Sequence, residues 1–182
     1  MKSIASFAVW IALMLMWVAP APAQQGSAVS TYKLGAGDII SIRVFGEDDL
    51  SREKILITDA GTVPYPVLGE LKILGRTVGE LERQVTEGLR GRYLVNPRVS
   101  VTIDQYRPFF VNGQVASPGA YAYQPGLTVA KAISLAGGLK ERASVNKMFV
   151  LREDDPTRTR AKVDMNAAVH PGDVLTIEES FF

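Results

Sequence analysis

Beyond residue 38 the chain alternates apolar and polar positions, the period of half-buried strands. Ile40, Ile42 and Val44 fall on one face, and Ser41 and Arg43 on the other. Ile55 to Thr58 predicts a second strand, closed by a turn at Asp59-Ala60-Gly61. The stretch "TVPYPVLGELKILG" continues extended. Pro64 and Pro66 restrict it to an edge or bulged strand, because proline cannot donate to a ladder. The period then changes: Val78, Leu81, Val85 and Leu89 make one helical stripe. Thr77, with Glu80 three residues on, forms a capping box, and Gly91 supplies a stop. After a turn at Asn96-Pro97, Val99, Val101 and Ile103 alternate with Arg98, Ser100, Thr102 and Asp104, a strand with one wet face.

Arg107-Pro108 breaks that strand and marks the expected boundary between two domains, 32–106 and 107–182. "FFVNGQV" opens the second domain as a strand, and Gly113 in mid-run signals a bulge or a close neighbour. Pro118-Gly119 suits the central positions of a type II turn, so residues 111–121 read as a hairpin. Thr128 caps a second helix with the stripe Val129, Ala132, Ile133 and Ala136, and Gly137-Gly138 ends it. "KMFVLRE" and "AKVDM" are strands either side of the polar turn "DDPTRTR", and "HPGDVLTIEESFF" closes the chain. One echo links the halves: "AGDIISI" (36–42) resembles "PGDVLTI" (171–177). The echo predicts the same turn-into-strand device twice, with Asp38 and Asp173 as turn formers, ligand contact as the lesser alternative, and Asp38 able to accept backbone hydrogen bonds. The expected class is α+β: two small β-rich domains, each with one main helix.

Composition narrows the picture. Nearly half the residues are apolar and about a fifth are charged, which is globular and not disordered. The formal charge is +1, with Lys and Arg scattered, so no basic surface for nucleic acid is expected. There is no cysteine, which removes disulfides, thiol chemistry and cysteine-held metals. The N-terminus places the chain. Lys2 precedes the apolar run Ile4 to Val18, and Ala21-Pro22-Ala23 is a small-x-small site. This is the layout of a secretory signal peptide over 1–23, followed by a small polar lead over 24–31. The run is shorter than the ~20 residues that span a bilayer, so cleavage after Ala23 is expected over anchoring. The mature chain is then formally neutral and, lacking cysteine, carries no lipid.

Candidate chemistry is sparse. His170 is the sole histidine, in a loop, with no HxxxH or HExxH partner. Glu47-Asp48-Asp49, Asp154-Asp155 and Glu178-Glu179 fall in predicted turns, where acids are solvated; paired catalytic carboxylates need burial that separates their pKa values. Ser117 and Ser134 lack a nucleophile elbow. "LGAGD" misses the third glycine of a dinucleotide loop and enters a strand. Phe109, Phe110, Tyr121 and Tyr123 are read first as core, since strands enrich aromatics for packing. Phe181-Phe182, after "EES", is a candidate docking tip. No catalytic, cofactor or metal residue is assigned. Each half has ~75 residues, a size at which one core is marginal, so packing between domains or subunits is expected to add stability.

Taken in order, these elements resemble the bacterial polysaccharide export family of outer-membrane auxiliary proteins. "YKLGAGDIISIRVFG" looks like the opening of its export-signature domain, with Gly35, Gly37 and Asp38. Gly61, Thr62, Val63, Pro66, Gly69, Gly75 and Thr77 match its Gly-Thr-apolar-x-x-Pro-x-x-Gly stretch and Gly-x-Thr helix start. "YLVNPRVSVTI", with Asn96 and Pro97, resembles the strand that ends it. "FFVNGQVASPGAYAYQPGLTVAKAISLAGGL" is similar to the soluble-ligand-binding β-grasp (SLBB) module, with Gly113, Pro118, Gly119, Gly137 and Gly138. "GDVLTI", with Gly172 and Asp173, resembles that module's last strand.

The resemblance implies an export domain over 32–106 and an SLBB β-grasp domain over 107–182. It implies a non-enzymatic periplasmic component of capsule or exopolysaccharide export, associated with the outer membrane. Rings of subunits would pass polysaccharide onward, with an inner-membrane polysaccharide co-polymerase and a separate outer-membrane barrel as partners, and no cofactor. The separate barrel is expected because neither a lipid-bearing cysteine nor an amphipathic C-terminal helix is present. Arg43, Arg98 and Arg107 are candidate polymer-facing residues. The alternative reading is a monomeric periplasmic module that binds a glycan or small ligand; a glycan-processing enzyme is a further rival without a catalytic set.

Overall fold

The computed structural model describes residues 30–180. The predicted signal peptide, most of the polar lead and Phe181-Phe182 lie outside the described residues. Among the described residues the architecture is α+β, with three sheets and two α-helices. In the first half, β1 (Ile39–Val44) is the centre of a three-stranded antiparallel sheet between β2 (Arg52–Leu56) and β5 (Val99–Gln105). A hairpin of β3 (Thr62–Tyr65) and β4 (Gly69–Lys72) stands apart, pairing Pro64 with Glu70. Having only one neighbour, β3 tolerates the missing N–H of Pro64, as the sequence predicts.

Helix α1 (Val78–Leu89) starts on the expected capping box. The Glu80 N–H donates to the Thr77 hydroxyl (3.3 Å) and the Thr77 N–H donates to the Glu80 carboxylate (2.8 Å). Leu81, Val85 and Leu89 have no solvent exposure and pack with Ile40, Ile42, Val44 and Val101 of the sheet. Each such side chain contributes about 1.5–3 kcal/mol. The helix also seals an edge. Glu82 accepts a hydrogen bond from the Val101 N–H of β5 (2.9 Å), a ladder donor that has no strand partner on that side.

The second half is a five-stranded sheet in the order β7-β6-β10-β8-β9. These are β6 (Phe109–Gly113), β7 (Gly119–Tyr121), β8 (Ala143–Leu151), β9 (Arg160–Lys162) and β10 (Val174–Glu179). The chain's last strand runs parallel to β6 at the centre and antiparallel to β8. Helix α2 (Val129–Leu135), capped by Thr128, is the second half's one helix. Its Val129, Ala132 and Ile133 close a core around Phe109, Val111, Met148, Leu175 and Ile177. The two apolar clusters are drawn from residues 34–101 and 109–177.

Three expectations change. β2 begins at Arg52 and ends at Leu56, so Ile57 and Thr58 are outside it; the exposed Arg52, Glu53 and Lys54 give no apolar alternation to read. Pro118-Gly119 does not form a type II turn. Gly119 already pairs with Val111 in the ladder, without positive φ, and the chain reverses over residues 114–118. That loop is held by tertiary hydrogen bonds, from the Ala116 N–H to the Gly138 carbonyl and from the Ser117 N–H to the Ala136 carbonyl. Glu178 and Glu179 lie in β10 and not in a turn; Arg160 pairs with Glu178 and Arg142 with Glu179.

Gly113 has the close neighbour that its position in the strand suggests. A Cβ there would stand 2.0 Å from the Ile177 carbonyl oxygen, at φ +88°. Gly119 has open space and no left-handed backbone. Gly113→Ala is therefore expected to destabilise the protein by more than about 2 kcal/mol, and Gly119→Ala by no more than about 0.5 kcal/mol. Urea denaturation followed by circular dichroism separates the two.

Candidate functional site: a pair of aspartate turns and the joint between the halves

Gly35 to Asp38 is a tight turn: the Asp38 N–H returns to the Gly35 carbonyl (3.2 Å), with Gly37 at φ +91°. The Gly35 N–H in turn donates to the Asp38 carboxylate (2.8 Å). His170 to Asp173 repeats this geometry, with Gly172 at φ +84° and the His170 N–H 2.7 Å from the Asp173 carboxylate. The echo in the sequence is thus one structural device used twice, each time feeding a central strand, β1 or β10. Asp38 is 0% and Asp173 1% exposed. A buried carboxylate must be paired and hydrogen-bonded, and the sequence motif does not contain the partner.

Antiparallel register supplies it. Ile39 lies opposite Gln105, so the residues leaving β5 pass the Asp38 turn. Val174 lies opposite Leu151, so Arg152 leaves β8 beside Asp173. Each aspartate is reached by an arginine just past the neighbouring strand, β5 or β8. Arg107 Nη1 is 3.2 Å from Asp38 Oδ2, and Arg152 Nη1 bonds Asp173 Oδ2. Arg152 also reaches His170 Nδ1 (2.7 Å) and the Ala168 carbonyl (3.0 Å). Burial raises the pKa of Asp173 above the usual carboxylate range, against the pull of the His170 N–H and Arg152.

Only the first copy joins the halves. Arg107 donates through its backbone N–H to Asp38 Oδ1 (2.8 Å) and through Nη1 to the Tyr32 hydroxyl (2.7 Å). The Tyr32 hydroxyl itself lies 2.7 and 2.8 Å from the two oxygens of Asp38, to which it donates. Arg107, the first residue of the second half, also holds Glu153 of that half through Nε. Glycines clear the guanidinium's seat. A Cβ on Gly35 would stand 2.1 Å from Arg107 Nη1, and one on Gly172 would stand 1.7 Å from Glu153 Oε2 and 2.9 Å from Arg107 Nε. An aromatic ladder runs beside it: Tyr32 to Tyr106 at 5.1 Å and Tyr106 to Tyr123 at 5.3 Å, both edge-to-face.

The other candidate residues are dispersed. Arg43 is exposed on the outer face of β1, 3.5 Å from Glu53. Arg98 lies in the loop before β5, with its guanidinium carbon 6.0 Å from the Phe45 ring centre. Arg107, grouped with them in the sequence, sits in the joint with its side chain 14% exposed. Gly61, Gly75, Gly137 and Gly138 take positive φ in turns and loops, Gly69 does so as the first residue of β4, and Pro66, Asn96 and Pro97 lie in loops. Among the described residues no three His, Cys, Asp or Glu side chains gather as a metal site. Sequence reasoning missed Tyr32, Arg152 and Glu153. Tyr32 alone left a signal, lying six residues before Asp38 on the same strand entry.

The fold and its joint define a two-module β-rich scaffold in which buried polar groups hold shape. Comparison with known proteins then identifies it. Residues 26–104 match the polysaccharide biosynthesis/export protein model and residues 108–161 the SLBB domain model. The chain thus carries a polysaccharide biosynthesis/export domain followed by an SLBB domain. It is 40% identical over 96 residues to the exopolysaccharide production protein ExoF of Rhizobium meliloti (strain 1021), covering 50% of this chain and 22% of that protein. It is 23% identical over 181 residues to the EPS I polysaccharide export outer membrane protein EpsA of Ralstonia nicotianae, covering 81% of this chain and 47% of the relative. For the EpsA of Ralstonia solanacearum the figures are 26% over 170 residues, 79% and 45%. The chain thus spans less than half the length of each of these relatives. Among the described residues no helix is long and apolar enough to cross a membrane.

Removing Arg107 leaves a buried carboxylate unpaired. Arg107→Ala is expected to cost about 3–5 kcal/mol, against less than about 1 kcal/mol for Arg160→Ala, whose ion pair is exposed; urea midpoints test the contrast. Burial, and then the hydrogen bond to Asp38, raises the Tyr32 pKa far above its usual value. The unfolded chain then loses this proton first, so Tyr32 contributes fully below about pH 10 and its contribution falls as pH rises beyond that. Tyr32→Phe is expected to flatten the loss of stability between about pH 9 and about pH 11, as read from urea midpoints.

Proposed function

We propose that the protein is a non-catalytic, periplasmic component of a capsule or exopolysaccharide exporter, acting at the outer membrane. The observation that carries this reading is that both halves match the modules of the export family in order. The likeness to outer membrane export proteins over about four-fifths of the chain supports it. In this reading residues 32–106 form the export domain and 107–182 the SLBB domain. Copies assemble head to tail into a closed ring, and the polymer passes from an inner-membrane co-polymerase toward an outer-membrane barrel. The Asp38–Arg107 joint has a physical role there. A ring closes only if every subunit holds the same angle between its modules, and a buried ion pair with an aromatic ladder fixes that angle. Arg43 and Arg98 face the polymer, while Arg107 sets the angle.

Deleting the gene is expected to abolish surface polysaccharide, measured as hexose and uronic acid released from washed cells, and the native gene to restore it. Native mass spectrometry of the processed protein is expected to give one discrete ring. A strain that keeps its surface polymer, with a protein that stays monomeric beside its partners, would overturn the proposal.

A further inference from the structure

The outer face of the first sheet is more than a solvated surface. β1 presents Ser41 and Arg43 there, and β5 presents Ser100, Thr102 and Asp104. With Glu53, Lys54 and Phe45 they line an open groove of about 450 Å³, within the roughly 300–1,000 Å³ range of small-molecule sites. Its floor is built. Ile40 pairs with Ile55 but Ile42 with Arg52, so Glu53 and Lys54 together stand opposite Ser41 as a bulge. Bulges re-aim side chains. Lys54 takes φ +53°, a left-handed conformation uncommon outside glycine. Backbone strain of that kind concentrates at functional sites. The turned Lys54 N–H donates to Ser41 Oγ (3.1 Å), and Ser41 Oγ donates to Asp104 (2.5 Å), tying all three strands together.

What this relay holds up is a set of unspent contacts. The Lys54 ammonium makes no hydrogen bond or ion pair with any described residue. Arg43 is held only by exposed Glu53 at 3.5 Å. Phe45, at one end of the groove, leaves 55% of its surface in water, with Arg98 over one side of its ring. Cations, hydroxyls and an exposed aromatic ring on one shelf match the chemistry of an acidic sugar. Its carboxylate pairs with cations, its hydroxyls exchange hydrogen bonds, and its C–H face rests on an aromatic ring.

We propose that this groove is a subsite for an acidic sugar residue of a polysaccharide: Lys54 and Arg43 meet the carboxylate, Phe45 carries the ring face, and Ser100 and Thr102 meet hydroxyls. That the sugar belongs to an exported polymer rests on the export reading above; the groove's chemistry does not. The shallow, open shape suits a contact that releases its sugar quickly.

The probes are a galacturonic acid hexamer and, as a neutral control, maltohexaose, titrated by NMR into the protein as the cell processes it. The acidic hexamer is expected to shift the Lys54, Ser100 and Thr102 amides, with affinity falling as salt rises. Lys54→Ala and Phe45→Ala are each expected to weaken it about fivefold, and Lys162→Ala, on β9, to leave it unchanged. No binding, equal binding of the neutral hexamer, or shifts confined to other surfaces would overturn the subsite. In cells, the folded Phe45→Ala/Lys54→Ala double variant is expected to secrete polymer more slowly. Normal secretion by it, in a strain whose deletion blocks export, overturns the subsite and leaves the export reading standing. A deletion without effect on secretion overturns the export reading, and the hexamer titration then still decides the groove.

Discussion

Asp38 carries a charge that no water reaches, and that constraint organises much of the molecule. A carboxylate removed from solvent needs several donors, and four converge on it: the Gly35 N–H, the Arg107 N–H and guanidinium, and the Tyr32 hydroxyl. Two of those donors belong to Arg107, which lies beyond the last strand of the first sheet. Satisfying the carboxylate therefore fixes the path of the chain as it leaves one core for the other. Glu153, like Arg107 a residue of the second half, takes the remaining face of the same guanidinium. Gly35 and Gly172 are then required as clearance around one side chain, since a methyl group at either would collide with Arg107 or its partner.

The second copy shows what belongs to the device and what belongs to the joint. Asp173 keeps the turn, the N–H donor three residues back and the arginine from the adjacent antiparallel strand. It has neither a tyrosine donor nor a bond across to the other half. The shared part serves strand entry: it anchors the start of a central strand in a place where the backbone must turn sharply into a core. The added part, Tyr32 with Glu153 and the tyrosine ladder, turns an anchor into a link between modules. A rigid link of this kind is what the proposed ring would demand, because angular error in each subunit accumulates around a closed circle.

The remaining polar chemistry lies elsewhere. Glu82 closes the open edge of β5 from α1, which protects one side of the first sheet. The opposite edge, β2, is broken by a bulge at Glu53-Lys54, and the strain there is taken up by a hydroxyl relay across three strands. The result is a sheet with an apolar face committed to the core and an outer face that is fixed in shape yet chemically unsatisfied. Burial explains the first face completely. It says nothing about the second, which is why the outer face is where a ligand fits.

The sequence by itself determined the α+β class, both helices with their caps, the central strands and the repeated Gly-Asp turn, because each depends on residues within a few positions of one another. Thr77 and Glu80 are three apart, and the alternation of Ile40, Ile42 and Val44 is local. The order of motifs carried the family resemblance for the same reason. The tertiary structure alone decided who answers the two aspartates. Arg107 lies 69 residues from Asp38 and Arg152 lies 21 before Asp173, and no spacing rule links them. Strand register does, and register is settled when the cores pack. The same holds for Pro118-Gly119, where hydrogen bonds donated by the Ala116 and Ser117 N–H groups to carbonyls just past α2 replaced the tight turn that the dipeptide alone favours. Arg43 and Arg107 look alike in the sequence, each a cation beside a strand. Packing left one in water and closed the other between two carboxylates, and that difference in solvation separates a surface contact from a structural pin.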